Sequence, residues 1–363
     1  MAITLSVCMI VKDEELVLER CLRSVSKFAD EIIVVDTGST DSSMEIIRKY
    51  TSHLYQYSWR DDFAEARNES YSHASCDYIM WMDADDDIEP EDIEKLLELK
   101  ETMTSDIDVV FLTYDTDHDD VSCGYVLLRD RIIRRDLNVR WTYPVHEGIP
   151  IVDSFKILYR EDIIIYHRKL RENEKRRNIG IFEKAMEKGF RMNDYNQAYY
   201  CRELTVDGKY ENAVALYQQM KKEGAAYENI HYARFFYVES MKKLKRYEEL
   251  EQTLLEEIRV WPADENLYCF LGDAFLWNGK EEEAEECFLK AMNTMVNLRD
   301  LCMHDKMCQE FLPCVRLANI NVRRGEVEKA LQYFKRAGEI CPQNPMVLRN
   351  MAYFEKLEKK VRS

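Results

Sequence analysis

The chain has 363 residues, a length that favours two domains over one. Its 51 basic and 68 acidic residues leave a formal net charge of −17, which argues against nucleic acid or an anionic membrane surface as the main partner. No apolar run approaches the ~18–20 residues that cross a bilayer, so we expect no transmembrane segment. The 11 cysteines contain no CxxC pair and predict reduced thiols in a cytoplasmic protein.

The first half of the chain alternates short apolar runs with helical patterns. The first run reads as a β-strand and not as a signal peptide, because charged residues follow it directly. The predicted strands are Ile3–Val11, Glu31–Val35, His53–Tyr57 and Tyr78–Met82, with helices at Glu14–Phe28, Asp41–Tyr50 and Asp61–Ala74. This alternation predicts a mostly parallel sheet flanked by helices.

From Asp108 to Tyr166 the pattern changes to strands and loops. The predicted strands are Val109–Tyr114, Gly124–Leu128, Ile132–Arg135 and Ile163–Tyr166. A succession of this kind is expected where a mixed sheet ends in an antiparallel edge.

After about Arg168 helix formers dominate and a short motif recurs. Gly208-Lys-Tyr-Glu-Asn-Ala213 matches segments that begin at Gly279 and Gly325, and a degenerate copy begins at Lys245. These starts approach the ~34-residue period of tetratricopeptide repeats, in which glycine closes the first helix of a pair. The wider last interval predicts an insertion around Asn297–Lys306, and Met346–Lys360 reads as a capping helix. An irregular helical bundle is the alternative.

An acidic cluster, Asp83-Ala84-Asp85-Asp86-Asp87, follows the strand Tyr78–Met82. In open α/β sheets ligands bind at the carboxyl ends of the strands. Asp83 and Asp85, two positions apart, could hold a hard divalent cation that bridges a diphosphate. The alternative is an acidic loop that caps the helix beginning at Pro90.

Two further segments carry polar side chains at the same predicted edge. Asp36 ends the second strand, where a carboxylate can accept hydrogen bonds from a ribose or a base. Arg67 lies on a helix between candidate site strands, so it could contact a diphosphate, although a surface ion pair is the alternative. The sequence has neither GxGxxG nor GxxxxGK[ST], which leaves a dinucleotide site or a P-loop unsupported.

Together these segments resemble the family 2 glycosyltransferases of the GT-A fold. The strings MIVKDEE, VDTGSTD, FAEARN and WMDADD occur in the family's order and spacing over the first ~170 residues. The resemblance implies an α/β GT-A domain, a nucleotide-sugar donor, Mn²⁺ or Mg²⁺ at the DxD segment, and inversion at the sugar carbon. By position it implies that the nucleotide sugar contacts Val11, Glu14, Asp36, Arg67, Asp83 and Ala84, and that Asp85 binds the metal.

An inverting transfer needs a base that takes the proton of the acceptor. The segment Tyr143–Gly148 offers Glu147 as this base, with His146 beside it, while Asp119 or Asp120 is the alternative. His167 is the candidate for a further metal ligand, because imidazole suits manganese. A basic stretch follows, in which Lys175 or Arg176 could stabilise the leaving diphosphate, although a solvated helix face is the default interpretation.

The layout, a GT-A domain before tetratricopeptide repeats, is similar to bacterial bacteriocin-type peptide S-glycosyltransferases. We therefore expect a metal-dependent hexosyltransferase that moves a sugar, from a UDP-hexose in the first instance, to a peptide or protein side chain. A cell-surface glycan or lipid-linked acceptor is one alternative, and an inactive scaffold whose repeats bind a protein partner is another. The predicted domains are 1–168, a connecting helix at 169–191, and repeats at 192–363. A homodimer remains an open alternative.

Overall fold

A computed structural model of the chain describes residues 2–116, 124–168, 170 and 176–351. The chain divides into two compact units. The first comprises Met1–Asp115 and Leu128–Asp207, and the second comprises Thr116–Leu127 and Gly208–Ser363. The domain boundaries expected after residues 168 and 191 stay predictions.

The first unit is built on a mixed sheet. Its strands are β1 (Leu5–Val11), β2 (Glu31–Asp36), β3 (Leu54–Gln56), β4 (Tyr78–Trp81), β5 (Asp86–Asp87), β6 (Val109–Thr116), β7 (Tyr125–Arg134) and β8 (Ile157–His167). They lie in the order β3-β2-β1-β4-β7-β6-β8-β5. β1 pairs in parallel with β2 and β4, and β2 with β3, whereas β4–β7 and β5–β8 are antiparallel. The predicted α/β domain with a mostly parallel half and an antiparallel half is confirmed.

Helices cover both faces of the parallel strands. They are α1 (Leu18–Val25), α2 (Ser43–Ile47), α3 (Phe63–Ser72) and α4 (Pro90–Thr102). Two later helices, α5 (Arg177–Glu187) and α6 (Asp194–Val206), pack with Val145 and Phe63. Leu5, Val7 and Met9 on one face of β1 belong to the main core, together with residues of α1 and α4. Cys8, on the opposite face, packs with Ile33 and Ile79. Burial on both faces explains why these strands read as continuous apolar runs.

The prediction of separate strands at Gly124–Leu128 and Ile132–Arg135 is wrong, because β7 runs unbroken from Tyr125 to Arg134. Three charged residues, Arg129 to Arg131, lie between the two predicted strands. Of these, Arg131 is fully buried and forms an ion pair with the equally buried Asp86 at 2.9 Å. A buried charge is tolerated when it is paired in this way.

The second unit is helical and bears the predicted repeats. Its helices are α7 (Tyr210–Glu223), α8 (Tyr227–Leu244), α9 (Tyr247–Val260), α10 (Glu265–Trp277), α11 (Glu281–Asn293), α12 (Leu312–Arg323) and α13 (Val327–Ile340). The three motif glycines all have φ of 78° and Lys245 has φ of 59°, which is the left-handed turn that the motif requires. The alanines five residues on, Ala213, Ala284 and Ala330, are fully buried. The predicted helical repeats are confirmed.

The predicted insertion lies between α11 and α12. It contains the short turn Leu298–Asp300 and β9 (His304–Asp305), which pairs with Tyr125 and Val126. His304 contacts Glu265 through Nδ1 at 2.8 Å and Asp300 through Nε2 at 3.1 Å. These contacts fix the insertion on the repeats.

At the end of the described chain, residues 345–351 are helical, and the rest of the predicted capping helix lies outside the described residues. Over the described ranges, no helix is long and apolar enough to cross a bilayer.

The close approach of α10 and α11 gives a stability prediction. A Cβ on Gly272 would lie 2.6 Å from Cε1 of Phe288, and both residues are buried. We expect Gly272→Ala to destabilise the chain by roughly 1–3 kcal/mol, because overpacking outweighs the gain in helix propensity.

Urea unfolding of the full chain measures the effect. Gly180→Ala is the matched control, since Gly180 is helical and a Cβ there would meet nothing within 4 Å. Equal unfolding midpoints for Gly272→Ala and the wild-type chain would contradict the prediction.

Candidate active site

The first unit contains a cavity of about 380 Å³ at the carboxyl ends of β1, β2 and β4. Its lining from the strand ends and adjoining segments includes Val11, Lys12, Glu14, Thr37, Trp81, Asp83, Ala84, Asp85, Glu147 and His167. Its helical lining includes Phe63, Arg67, Arg177, Asn178, Tyr195, Tyr199 and Arg202. Such a cavity at the ends of parallel strands is the usual ligand position in an open α/β sheet.

The cavity gathers nearly all the residues selected from the sequence. Asp36 is the exception, because it does not line the cavity, although it ends β2 and pairs in register with Val11. Its carboxylate accepts hydrogen bonds from the backbone N–H groups of Gly38 and Ser39, at 3.0 and 3.1 Å. It therefore shapes the loop that follows β2, and its contact with a nucleotide stays a prediction.

Arg67 is the central cation of the cavity. Asp62 caps α3 by accepting from the N–H of Glu65 at 2.9 Å, which fixes the first turn of the helix that carries Arg67. Arg67 donates through Nη2 to Asp83 at 2.7 Å and through Nε to Glu147 at 2.5 Å. Burial opposes its charge, but Asp83 and Glu147 raise its pKa, so Arg67 stays a cation.

Two tryptophan rings flank this guanidinium group. The Arg67 Cζ atom lies 5.1 Å from the ring centroid of Trp81 and 4.9 Å from that of Trp141. The two rings meet edge to face, with centroids 5.5 Å apart. Aromatic faces attract the cation and restrict its movement. The position of Arg67 is therefore fixed before any ligand binds.

The acidic segment after β4 forms a tight turn. Asp86 N–H donates to the Asp83 carbonyl at 3.1 Å, and Asp83 N–H donates to the Asp86 carboxylate at 3.0 Å. Asp83 and Asp85, which the sequence suggested as a pair, have different partners. Asp83 faces Arg67, whereas Asp85 lies 3.4 Å from His167 Nδ1.

Burial and neighbouring charges shift the pKa values of Asp85 and His167 at this turn. Burial raises the pKa of Asp85 to about 6, with Asp83 and Asp86 adding to the shift and His167 opposing it. Burial alone would lower the pKa of His167, but a hydrogen bond to Asp86 and the charges of Asp85 and Asp86 raise it to about 9. A bound cation would lower both pKa values, because metal ligands must be deprotonated.

These side chains fit a divalent cation. Ligand atoms of Asp85, Asp86 and His167 all lie within 4.8 Å of one another. Carboxylate oxygens suit magnesium and manganese, and imidazole favours manganese. Asp85 and His167 also line the cavity, so a cation there would meet a ligand in the cavity.

Glu147 lies on a strained loop. Thr142 and Gly148 pair to close the loop, and Tyr143 and His146 have φ of 74° and 52°. At the left-handed backbone of His146, the side chains of His146 and Glu147 contact different parts of the unit. Glu147 faces Arg67, whereas His146 packs on Tyr199 of α6, with ring centroids 4.2 Å apart.

α6 holds the His146 ring in place. Its Nε2 lies 2.9 Å from a Glu203 carboxylate oxygen, and burial lowers the pKa of His146 despite that contact. Sequence reasoning placed His146 beside the base, but the structure assigns it to the support of the loop.

Sequence reasoning missed the aromatic and buried basic residues of the site. Trp81, Trp141, Tyr195 and Tyr199 line the cavity but were not among the residues selected from the sequence, and neither was the buried Arg131. The sequence signal for Arg131 was its position in β7, where Arg131 and Arg134 flank the apolar pair Ile132 and Ile133. In the basic stretch, Arg177 lines the cavity, whereas Arg176 pairs with Asp207 at 2.6 Å. Lys175, Asp119 and Asp120 lie outside the described residues.

Comparisons with known proteins found matches to three family models. Residues 6–164 match the model of glycosyl transferase family 2. Residues 265–293 match a tetratricopeptide repeat and residues 204–224 a PPR repeat.

Two curated relatives are similar over part of their length. A TPR repeat-containing protein of Synechococcus elongatus is 33% identical over 43% of this chain and 38% of that protein. The SPbeta prophage-derived glycosyltransferase SunS of Bacillus subtilis is 26% identical over 64% of this chain and 56% of that protein. The chain thus spans about half the length of these relatives or less.

Among solved structures, the chain is similar to glucosyl-3-phosphoglycerate synthase from Mycobacterium tuberculosis, solved with Mn²⁺ and UDP-glucose. The match has 19% identity and a TM-score of 0.39, over 51% of this chain and 77% of that one. A likeness of this extent assigns neither substrate nor metal to the chain.

The titrating groups at the acidic turn predict that cation binding depends on pH. Asp85, with a pKa of about 6, and His167, with a pKa of about 9, must both lose a proton. We expect Mn²⁺ affinity, measured by calorimetry, to rise by roughly tenfold per unit between pH 6 and 8. His167→Gln should weaken binding and flatten the dependence above pH 7. An affinity that does not change with pH would contradict the prediction.

Proposed function

We propose that the chain is an inverting, metal-dependent glycosyltransferase that uses a nucleotide diphosphate sugar. The observation that carries this proposal is the convergence of a cation-compatible turn, Arg67 and Glu147 in one cavity of a family 2 domain. Each of the three groups has a separate task in moving a sugar from a diphosphate to an acceptor.

The donor occupies the strand ends. Val11, Glu14 and the loop shaped by Asp36 face the base and ribose, and Ala84 leaves room beside them. Asp85 and His167 would hold Mn²⁺ or Mg²⁺, which neutralises the charge of the departing diphosphate when it is bound. The donor that we propose first is a UDP-hexose, on the family resemblance of the N-terminal motifs.

Glu147 is the proposed base. Its Oε1 accepts from Arg67 Nε, which orients the carboxylate and leaves Oε2 for the proton of the acceptor. The acceptor atom attacks the sugar carbon from the side opposite the diphosphate, so the configuration inverts. The rigid loop and its α6 support keep the base in place for an in-line attack.

The acceptor side of the cavity is lined by α6. Tyr195, Tyr199 and Arg202 lie on this helix, and Tyr199 contacts the loop that carries Glu147. We propose a peptide or protein side chain as the acceptor, which the tetratricopeptide match supports because such repeats commonly bind peptides. A glycan or lipid-linked acceptor is the nearest alternative. The cytoplasmic location and a homodimer stay predictions.

Replacing the two key acids separately tests the proposal. We expect Glu147→Gln to lower kcat for nucleoside diphosphate release by about 10²–10⁴-fold while donor binding persists, because only the base is lost. Asp85→Asn should abolish metal-dependent donor binding. Purified variants are assayed with a panel of nucleotide sugars and Mn²⁺, with and without a peptide pool.

Glu94→Gln is the control, since Glu94 is exposed on α4. A wild-type kcat in Glu147→Gln would remove Glu147 as the base. A chain that is inert towards every donor, yet binds a protein partner, would favour the inactive scaffold.

A further inference from the structure

Asp86 is the most thoroughly engaged carboxylate at the acidic turn. It is fully buried and its Oδ2 accepts from Arg131 Nη1 at 2.9 Å and from the backbone N–H of Asp83 at 3.0 Å. Its Oδ1 accepts from the Tyr114 hydroxyl at 3.1 Å. Three donors thus occupy most of the lone pairs that a carboxylate offers.

Arg131 cannot leave Asp86 without a large rearrangement. Its side chain is fully buried, and its Cζ lies 3.6 Å from the ring centroid of Trp81 and 4.3 Å from that of Tyr114. A cation bound directly by Asp86 would compete with this guanidinium group in a confined space. The positive charge that balances Asp86 is therefore already part of the fold.

The strand register brings His167 to the same carboxylate. Asp86 and His167 are paired residues of β5 and β8. His167 Nδ1 lies 3.4 Å from Asp86 Oδ1 and 3.4 Å from Asp85 Oδ1. Nδ1 of His167 thus faces two carboxylates, of which Asp85 lines the cavity and Asp86 does not.

We propose that Asp86 is a positioning residue that accepts the Nδ1–H of His167, so that His167 Nε2 and Asp85 are the groups presented to the divalent cation. This proposal rests on the metal site of the proposed function. Histidine ligands of metals commonly donate their second ring N–H to a carboxylate, which fixes the tautomer and the ring orientation.

The test is Mn²⁺ binding to the full chain, followed by calorimetry and by the electron paramagnetic resonance signal of the free ion. We expect Asp86→Asn to weaken Mn²⁺ binding by about 10–100-fold with one site per chain retained, whereas Asp85→Asn abolishes binding. Because Asp86 acts through His167, the Asp86→Asn effect should largely vanish in a His167→Gln background.

A less disruptive variant and its control keep the test decisive if Asp86→Asn does not fold. Tyr114→Phe removes only the hydroxyl that orients Oδ1, and should weaken Mn²⁺ binding several-fold in the wild-type background but not with His167→Gln. Tyr78→Phe is the matched control, since its hydroxyl donates to the Ile107 carbonyl elsewhere in the same core. It should leave Mn²⁺ affinity unchanged.

The outcomes separate the two proposals. Unchanged Mn²⁺ affinity in Asp86→Asn and Tyr114→Phe, with only a lower melting temperature, would reduce Asp86 to a structural residue and overturn the inference. Losses that add fully to those of His167→Gln would make Asp86 a direct ligand and also overturn it. Wild-type Mn²⁺ binding by Asp85→Asn would instead remove the metal site of the proposed function.

Discussion

The arrangement of the cavity depends on the buried guanidinium group of Arg67. A buried cation is costly unless nearby anions balance its charge. Asp83 comes from the end of β4 and Glu147 from the strained loop, so satisfying Arg67 brings two distant segments together. The planar fork of arginine suits this bridging task, which a lysine could not perform with the same geometry. Trp81 and Trp141 complete the site by filling the space around the charge.

The same constraint separates the acids of the site into groups with different tasks. Adjacent carboxylates repel one another unless a cation lies between them. Arg67 pairs with Asp83, Arg131 pairs with Asp86, and His167 lies beside Asp85. Of these cations, His167 alone can lose its charge within an accessible pH range. The turn therefore has two permanent charge pairs and one position at which a metal ion can replace a proton.

Much of the fold was accessible from the sequence because its signals are local. Buried strands read as apolar runs, and the repeat motif encodes a left-handed turn and a buried alanine directly. The resemblance suggested Arg67, Asp83 and Asp85, and the segment Tyr143–Gly148 suggested Glu147. All four residues line one cavity, and their roles stay predictions.

The remaining features depend on long-range pairing. Asp86 meets His167 only because β5 and β8 pair, and Arg131 is buried only because β7 lies beside β4. His146 contacts Glu203, which lies on α6, 57 residues further along the chain. A sequence pattern gives no register for such contacts, and a charged residue inside a strand reads as a break.

The central claim is a metal-dependent nucleotide diphosphate site at the ends of β1, β2 and β4. Its most direct test is the melting temperature of the full chain with UDP and other nucleoside diphosphates, each with and without Mn²⁺. A ligand that binds only the folded chain raises this temperature by mass action. We expect a rise with one nucleoside diphosphate that requires Mn²⁺ and is lost in Asp85→Asn. No rise with any of them, or a rise that is the same without metal, would contradict it.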